Sequence, residues 1–437
     1  MAHALRWLAL SYPFALASMA YADEITSVWD GSSNTAWGNA SNWTPAGVPN
    51  NNSTNQYDAV VDGSPRSPFT VVLNFLTVTL NGLTIGLGDT VRVAVSSSAY
   101  LYVLTPNYYN DGILEIVNPN LSASIGVGGG VPVLVLAGSG EVRLNGPDHK
   151  FKRFLDPPSG QPNPTVVVSA THTLRGEGSV ENLRFENYGL VDANKAGGTL
   201  QIYSEEYLGF PSIEGVNGGV MQARDGGTLK ILGLDNTAGL IVAKNGGTVF
   251  PSGITGGSVV AEEGGSVKLQ TVVEGERLKD VTFAGTITAL KDAKLEGTIL
   301  NPGQIVLQPW AQGSDAGSVN IKGPTTISGP GVILMESEHP TQVNGIGGVP
   351  GSGTHLTIAR DQTIRGRGII GIPLDNYGLI EATGSLPLTL QLSQAGNTLG
   401  GVLRAKGGTL RLVDGTCDCS SGVFEATEGG KILIDTV

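Results

Sequence analysis

The chain has 437 residues, 40% of them hydrophobic and 15% charged, with a formal net charge of -12. That is too apolar for a disordered chain, which needs low hydrophobicity together with high charge. The acidic, lysine-poor balance is a poor electrostatic match for nucleic acid or anionic lipid, so both are excluded as partners.

Residues 1–22 read as a secretory signal peptide. His3 and Arg6 make a weakly basic start, residues 8–19 an apolar core, and Ala20-Tyr21-Ala22 a small-x-small cleavage site, so the mature chain begins at Asp23 and is exported. Pro13 interrupts the apolar run, which argues against a buried helix. No later stretch approaches the ~20 apolar residues of a membrane span, so no transmembrane helix is expected.

Residues 23–79 stand apart, with Trp29, Trp37 and Trp43 close together and an asparagine-rich stretch at 50–55. Two readings are open. The preferred one is a cap, because the end of any stack of strands exposes apolar rows and unpaired edges that need cover. The other makes Trp29, Trp37 and Trp43 a ligand-binding platform on which sugar rings stack.

The rest of the chain is repetitive on two scales. Sixty-four glycines accompany Val, Ile, Leu and Thr without a Gly-X-Y period, as expected for short strands joined by tight turns. Gly-Gly-Thr/Ser-apolar steps recur at Gly226-Gly227-Thr228-Leu229, Gly246-Gly247-Thr248-Val249, Gly264-Gly265-Ser266-Val267 and Gly407-Gly408-Thr409-Leu410. Their spacing of about 18–22 residues is that of a solenoid coil and half that of a propeller blade. On the longer scale one pattern runs twice, offset by roughly 190 residues, beyond the usual single-repeat periods. Thr173-Leu174-Arg175-Gly176 returns as Thr363-Ile364-Arg365-Gly366, and Asn187-Tyr188-Gly189-Leu190 as Asn376-Tyr377-Gly378-Leu379. The expected fold is therefore an all-β parallel β-helix, with one long repeat over 80–277 and a second, incomplete one over 278–437. Coils stacked ~4.8 Å apart would number about 18–20 and form a rod of order 90–100 Å. The chain stops about one coil before the second repeat would close, which suggests a fragment.

No catalytic, cofactor-binding or metal site is expected. Glu177, Asp192, Glu214, Asp225, Glu262 and Glu263 are scattered, whereas polysaccharide lyases and glycoside hydrolases need converging carboxylates or a Ca²⁺ site beside a base. Asp192 and Glu381 hold equivalent places in the two repeats and read as a solvated strand face. Arg175 and Arg365 read as structural turns. Cys417 and Cys419 either close a small loop or stay reduced, with no further ligands nearby for a metal. Tyr100, Tyr102, Tyr108 and Tyr109 form an aromatic cluster, and residues 146–163 an inserted loop beside which a groove could form.

Trp29-Asp30-Gly31, Asn42-Trp43 and Val48-Pro49, followed by Leu278-Lys279-Asp280-Val281-Thr282 and Asn301-Pro302-Gly303-Gln304-Ile305, resemble exported bacterial β-helical repeat proteins. These include autotransporter passenger-like and exosortase-sorted (PEP-CTERM-type) surface proteins. Neither a translocating barrel nor a sorting tail follows in this chain. The resemblance implies a non-enzymatic structural or adhesive surface protein, whose partner would be an extracellular polysaccharide or a cell-surface ligand. The alternatives are a carbohydrate-active β-helix enzyme and a carbohydrate-binding surface protein.

Overall fold

The computed structural model describes residues 22–63, 68–75, 77–94, 99–103, 107–117, 123–127, 132–153, 164–203, 215–270, 277–308, 317–335, 344–349, 351, 353–392 and 396–435. The expected signal peptide, Ala22 excepted, lies outside them, as do Glu214 and most of the 146–163 loop. The fold is the expected parallel β-helix. Short strands wind around three faces and pair in parallel with the strand one turn further on, apart from Trp43–Thr44, which lies antiparallel to Asp23–Trp29.

The first face begins at Thr70–Leu73 and Thr90–Val93 and runs through Leu190–Ala193, Ser258–Ala261 and Leu374–Asn376 to Asn397–Leu399 and Cys417–Asp418. The second begins at Thr77–Leu80 and runs through Thr199–Tyr203 and Ser266–Leu269 to Leu379–Ala382 and Val423–Thr427. The third begins at Asp23–Trp29 and Asn55–Val61 and runs through Arg184–Asn187 to Thr409–Val413 and Lys431–Asp435. Period-two alternation sends every second side chain inward. Val71, Val91, Leu114, Val142, Leu174, Val191, Met221, Ile241 and Val259 form one such inner row, all buried. Each contributes about 1.5–3 kcal/mol by leaving water, which one short strand could not achieve alone.

Among the described residues the third face carries eighteen rungs and the other two sixteen each, roughly 80 Å at ~4.8 Å per rung, which is shorter than the rod the period alone suggested. The reason is unequal turns. Ile241 pairs with Val259, eighteen residues on, but Glu141 pairs with Thr173, thirty-two residues on.

The two long repeats do not sit on the same faces. Asn187-Tyr188-Gly189 turns the corner from the third face to the first, whereas Asn376-Tyr377-Gly378 turns it from the first to the second. Likewise Thr173–Arg175 lies on the first face and Thr363–Arg365 on the second. The repeated unit is thus not a whole number of turns, and the second copy is rotated by one face. Three faces with the same strand length and the same apolar inner rows accept the motif equally.

Corners explain the two recurring motifs. At Asp225-Gly226-Gly227 the chain reverses through positive φ at Asp225 (56°) and Gly226 (81°). Gly227 has no such φ, but a β-carbon there would stand 2.2 Å from the carbonyl oxygen of Ala193 on the preceding turn. One glycine therefore serves conformation and the other close approach. At the corner between third and first faces, fully buried asparagines form a column. Asn187 Nδ2 donates to Asn217 Oδ1 at 2.7 Å, and Asn217 Nδ2 to Asn236 Oδ1 at 2.7 Å. Asn236 Nδ2 then reaches the carbonyl oxygens of Gly256 and Ser258, each at 3.3 Å. The column satisfies polar groups that a tight corner would otherwise strand away from water.

Candidate functional site

The tryptophan-rich segment adds two rungs, Asp23–Trp29 and Asn55–Val61, to the third face. Trp29, Trp37 and Trp43 are 2%, 0% and 1% exposed. Trp43 meets Trp29 and Trp37 edge to face, with ring centroids 4.9 and 4.7 Å apart. Trp37 Nε1 donates to the Pro49 carbonyl at 3.1 Å, and Trp43 Nε1 to that of Trp37 at 2.8 Å. A stacking platform needs an open ring face, and these rings have none. For Trp29, Trp37 and Trp43 a cap and a sugar platform were the two open readings; their side chains are apolar filling at this end of the stack.

The outward side chains of the strands line up in charged rows. On the first face the register brings Arg92, Glu115, Arg143, Arg175, Asp192 and Gln222 into one column. Arg92 Nε lies 2.7 Å from Glu115, and Arg175 Nε 2.8 Å from Glu141, which also pairs with Arg143. Burial, with the like charge of Arg175 beside it, holds the Arg143 guanidinium below its ordinary range. Asp192 is 1% exposed; it accepts from Arg224 Nη2 at 2.8 Å and from Gln222 Nε2 at 2.9 Å. The hydrogen bond to Asp192 raises the Arg224 guanidinium in turn. On the second face Glu381 sits between Arg365 (2.9 Å) and Arg404 (3.2 Å), and Arg404 continues to Glu425 at 2.6 Å.

Asp192 and Glu381 are thus not the solvated strand face expected of them. They are buried beneath arginines from neighbouring turns, and Arg175 and Arg365 are the other halves of these columns. Residues the sequence did not single out, notably Glu115, Glu141, Arg224 and Arg404, complete them. Glu115 and Arg404 are charges at the middle outward position of an apolar-x-apolar strand, whereas Glu141 opens its strand and Arg224 follows Val220–Ala223; all become pairs only once register is known. Glu177 is paired with Lys195, Asp225 with Arg224, and Glu262 and Glu263 are exposed at a corner.

A cleft of about 520 Å³ opens beside the corner between third and first faces, lined by Asp62, Pro68, Leu87, Asp89, Tyr109 and Asp111. A smaller hollow of about 240 Å³ adjoins it, bounded by Asp111, Ser139, Glu141 and Thr173. Two of the lining carboxylates, Asp89 and Asp111, are engaged in holding turns. Asp89 is fully buried and accepts from the backbone N–H of Gly63 at 2.7 Å and of Phe69 at 2.6 Å. Asp111 accepts from the Ser139 N–H at 2.7 Å and hydroxyl at 2.9 Å, bonds that pull its carboxyl below the ordinary range. A carboxylate held as Asp111 is makes a weak base and a poor proton donor. Asp58, by contrast, is raised by burial and then by Glu24, but it lies on Asn55–Val61 at the head of the stack and does not line the cleft.

The tyrosine cluster divides. Tyr100 and Tyr102 stack with centroids 5.7 Å apart and Lys152 over Tyr100; Tyr108 is buried edge-on to His172; Tyr109 faces the cleft. Burial pushes the Tyr102 hydroxyl up to about 12. Cys417 and Cys419 are joined as a disulfide. Among the described residues no group of three or more His, Cys, Asp or Glu could hold a metal ion, and no helix is long and apolar enough to cross a membrane.

Fold and surface together define a three-faced parallel β-helix whose outer rows are cross-braced by ion pairs. No protein-family model and no curated protein matches the chain. Among solved structures it is similar to the TibC-catalysed, hyper-glycosylated TibA fragment, with 12% identity over 79% of this chain and 95% of that one, at a TM-score of 0.24. A likeness at that score bears on neither chemistry nor partner.

Proposed function

We propose that the chain is an exported structural or adhesive rod, displayed outside the cell and acting by presenting its surface. The observation that carries this reading is the condition of its carboxylates. Glu115, Glu141, Asp192, Glu381 and Glu425 are each neutralised by an arginine on the same or an adjacent turn. Asp89 and Asp111 are engaged by backbone N–H groups. Such an arrangement ties turn to turn and suits a stiff spacer. A glycosidase or lyase would instead need carboxyl groups of separated proton affinity facing one substrate space. Export rests on the signal-peptide reading of residues 1–22.

The test is twofold. Cells expressing the chain are treated with external protease, and the rod is expected to be cut while a cytoplasmic marker survives. Purified protein is then incubated with pectin, alginate, xylan and β-glucan, and new reducing ends and unsaturated products are measured; none should form. Product release above that of heat-denatured protein, or complete protection from external protease, defeats the reading.

A further inference from the structure

Each long repeat carries Asn-Tyr-Gly at a corner, at Asn187-Tyr188-Gly189 and at Asn376-Tyr377-Gly378. The asparagine turns inward and is fully buried, which throws the tyrosine outward: Tyr188 and Tyr377 are 45% and 43% exposed. Against each ring lies a glycine of the next turn. A β-carbon on Gly218 would stand 2.9 Å from Tyr188 Cδ1, and one on Gly400 would stand 3.5 Å from Tyr377 Cδ1. Neither glycine has a positive φ, so backbone conformation does not require glycine there. At Gly218 the missing side chain leaves room for the ring to rest on the backbone of its neighbour, with the remainder of the ring open to water. A carboxylate stands two residues upstream in both copies. Tyr188 Oη donates to Glu186 at 3.3 Å, Glu186 also pairs with Arg184 at 3.1 Å, and Asp375 pairs with His355 at 2.9 Å.

An exposed, backed aromatic ring beside a carboxylate holds the two elements that recognise a saccharide. The ring takes the C–H face of a pyranose, and carboxylate lone pairs accept from its hydroxyls. The net charge of -12 disfavours acidic sugars. We propose that Tyr188 and Tyr377 are two stacking platforms for a neutral polysaccharide. The platforms stand about eight turns apart, roughly 40 Å along the stack, and one face round from each other. A short saccharide meets one of them, while a polymer meets both and gains avidity. This inference rests on the surface role proposed above and names its ligand class.

The test is affinity electrophoresis of the full chain through gels containing hydroxyethylcellulose, laminarin, dextran or galactomannan. At least one of the four is expected to retard the protein. Tyr188→Ala and Tyr377→Ala should each weaken retardation about three- to tenfold, the value of one stacked ring. The double variant should lose more than either single one, and the Tyr→Phe pair should keep most of it. Both side chains are largely outside the core, so the variants fold, which circular dichroism verifies. Absence of retardation by all four polymers, or a double-alanine variant retarded like the parent, overturns the proposal. Protease shaving of cells bearing the double variant separates the two readings. Normal display with unchanged retardation defeats the platforms alone, whereas a protein never reached from outside defeats the surface role alone.

Discussion

Asn217→Leu tests whether the buried asparagine column holds the corners together. Asn217 accepts from Asn187 at 2.7 Å and donates to Asn236 Oδ1 at 2.7 Å and to the Leu240 carbonyl at 3.4 Å, with no solvent exposure. Leucine is nearly isosteric and deletes all of these. Two short buried bonds are worth about 1 kcal/mol each, and the stranded Asn236 Oδ1 costs about 1–3 kcal/mol more. Asn187 keeps its bond to the Val220 carbonyl at 3.2 Å and adds no second orphan. Burial of the isobutyl group returns about 1 kcal/mol, leaving a net loss of about 2–4 kcal/mol. A solenoid turn touches only its neighbours, so the loss should be local. Hydrogen exchange under native conditions is the assay, and protection should fall at Val220–Ala223 and Leu240–Ala243 while distant turns keep theirs. A change below about 0.5 kcal/mol at those amides, or an equal loss along the whole stack, would refute the column as the corner's support.

Three further outcomes are expected. Gly227→Ala should destabilise far more than Gly226→Ala, several kcal/mol against about 1, because the first meets the Ala193 carbonyl and the second only an unfavourable φ; paired urea titrations compare them. His172 is buried and its pKa is lowered to about 4, first by desolvation. Below about pH 6.5 the unfolded chain takes up a proton that the native chain refuses, so stability should fall by up to about 3 kcal/mol as pH drops towards 4. His172→Gln should remove that part of the pH dependence, and a parallel pH profile for the two proteins would contradict it. Asp58, raised by burial and by Glu24, costs stability once it ionises. Asp58→Asn should accordingly raise the melting temperature at neutral pH and leave it unchanged in strong acid, as differential scanning calorimetry at the two pH values can decide.

Some of this was legible residue by residue. Gly226-Gly227 and its relatives marked corners, and the alternation in Val220-Met221-Gln222-Ala223 marked strands, because turn geometry and period-two burial are local properties of the chain. Trp29, Trp37 and Trp43 show the limit of such reading: the same three residues suit a core or a platform, and only packing distinguishes an edge-to-face cluster from an open ring.

Local sequence therefore determined the stack, since short apolar strands ending in glycine corners have little choice but to bury themselves against copies of one another. Tertiary structure alone decided the register, and with it which charges meet. Arg365, Glu381, Arg404 and Glu425 lie far apart along the chain and become one braced column only when the length of each looped turn is known. The same dependence turned the second repeat by one face. Loop length sets where a strand lands, and no single strand's sequence encodes the length of the loops before it.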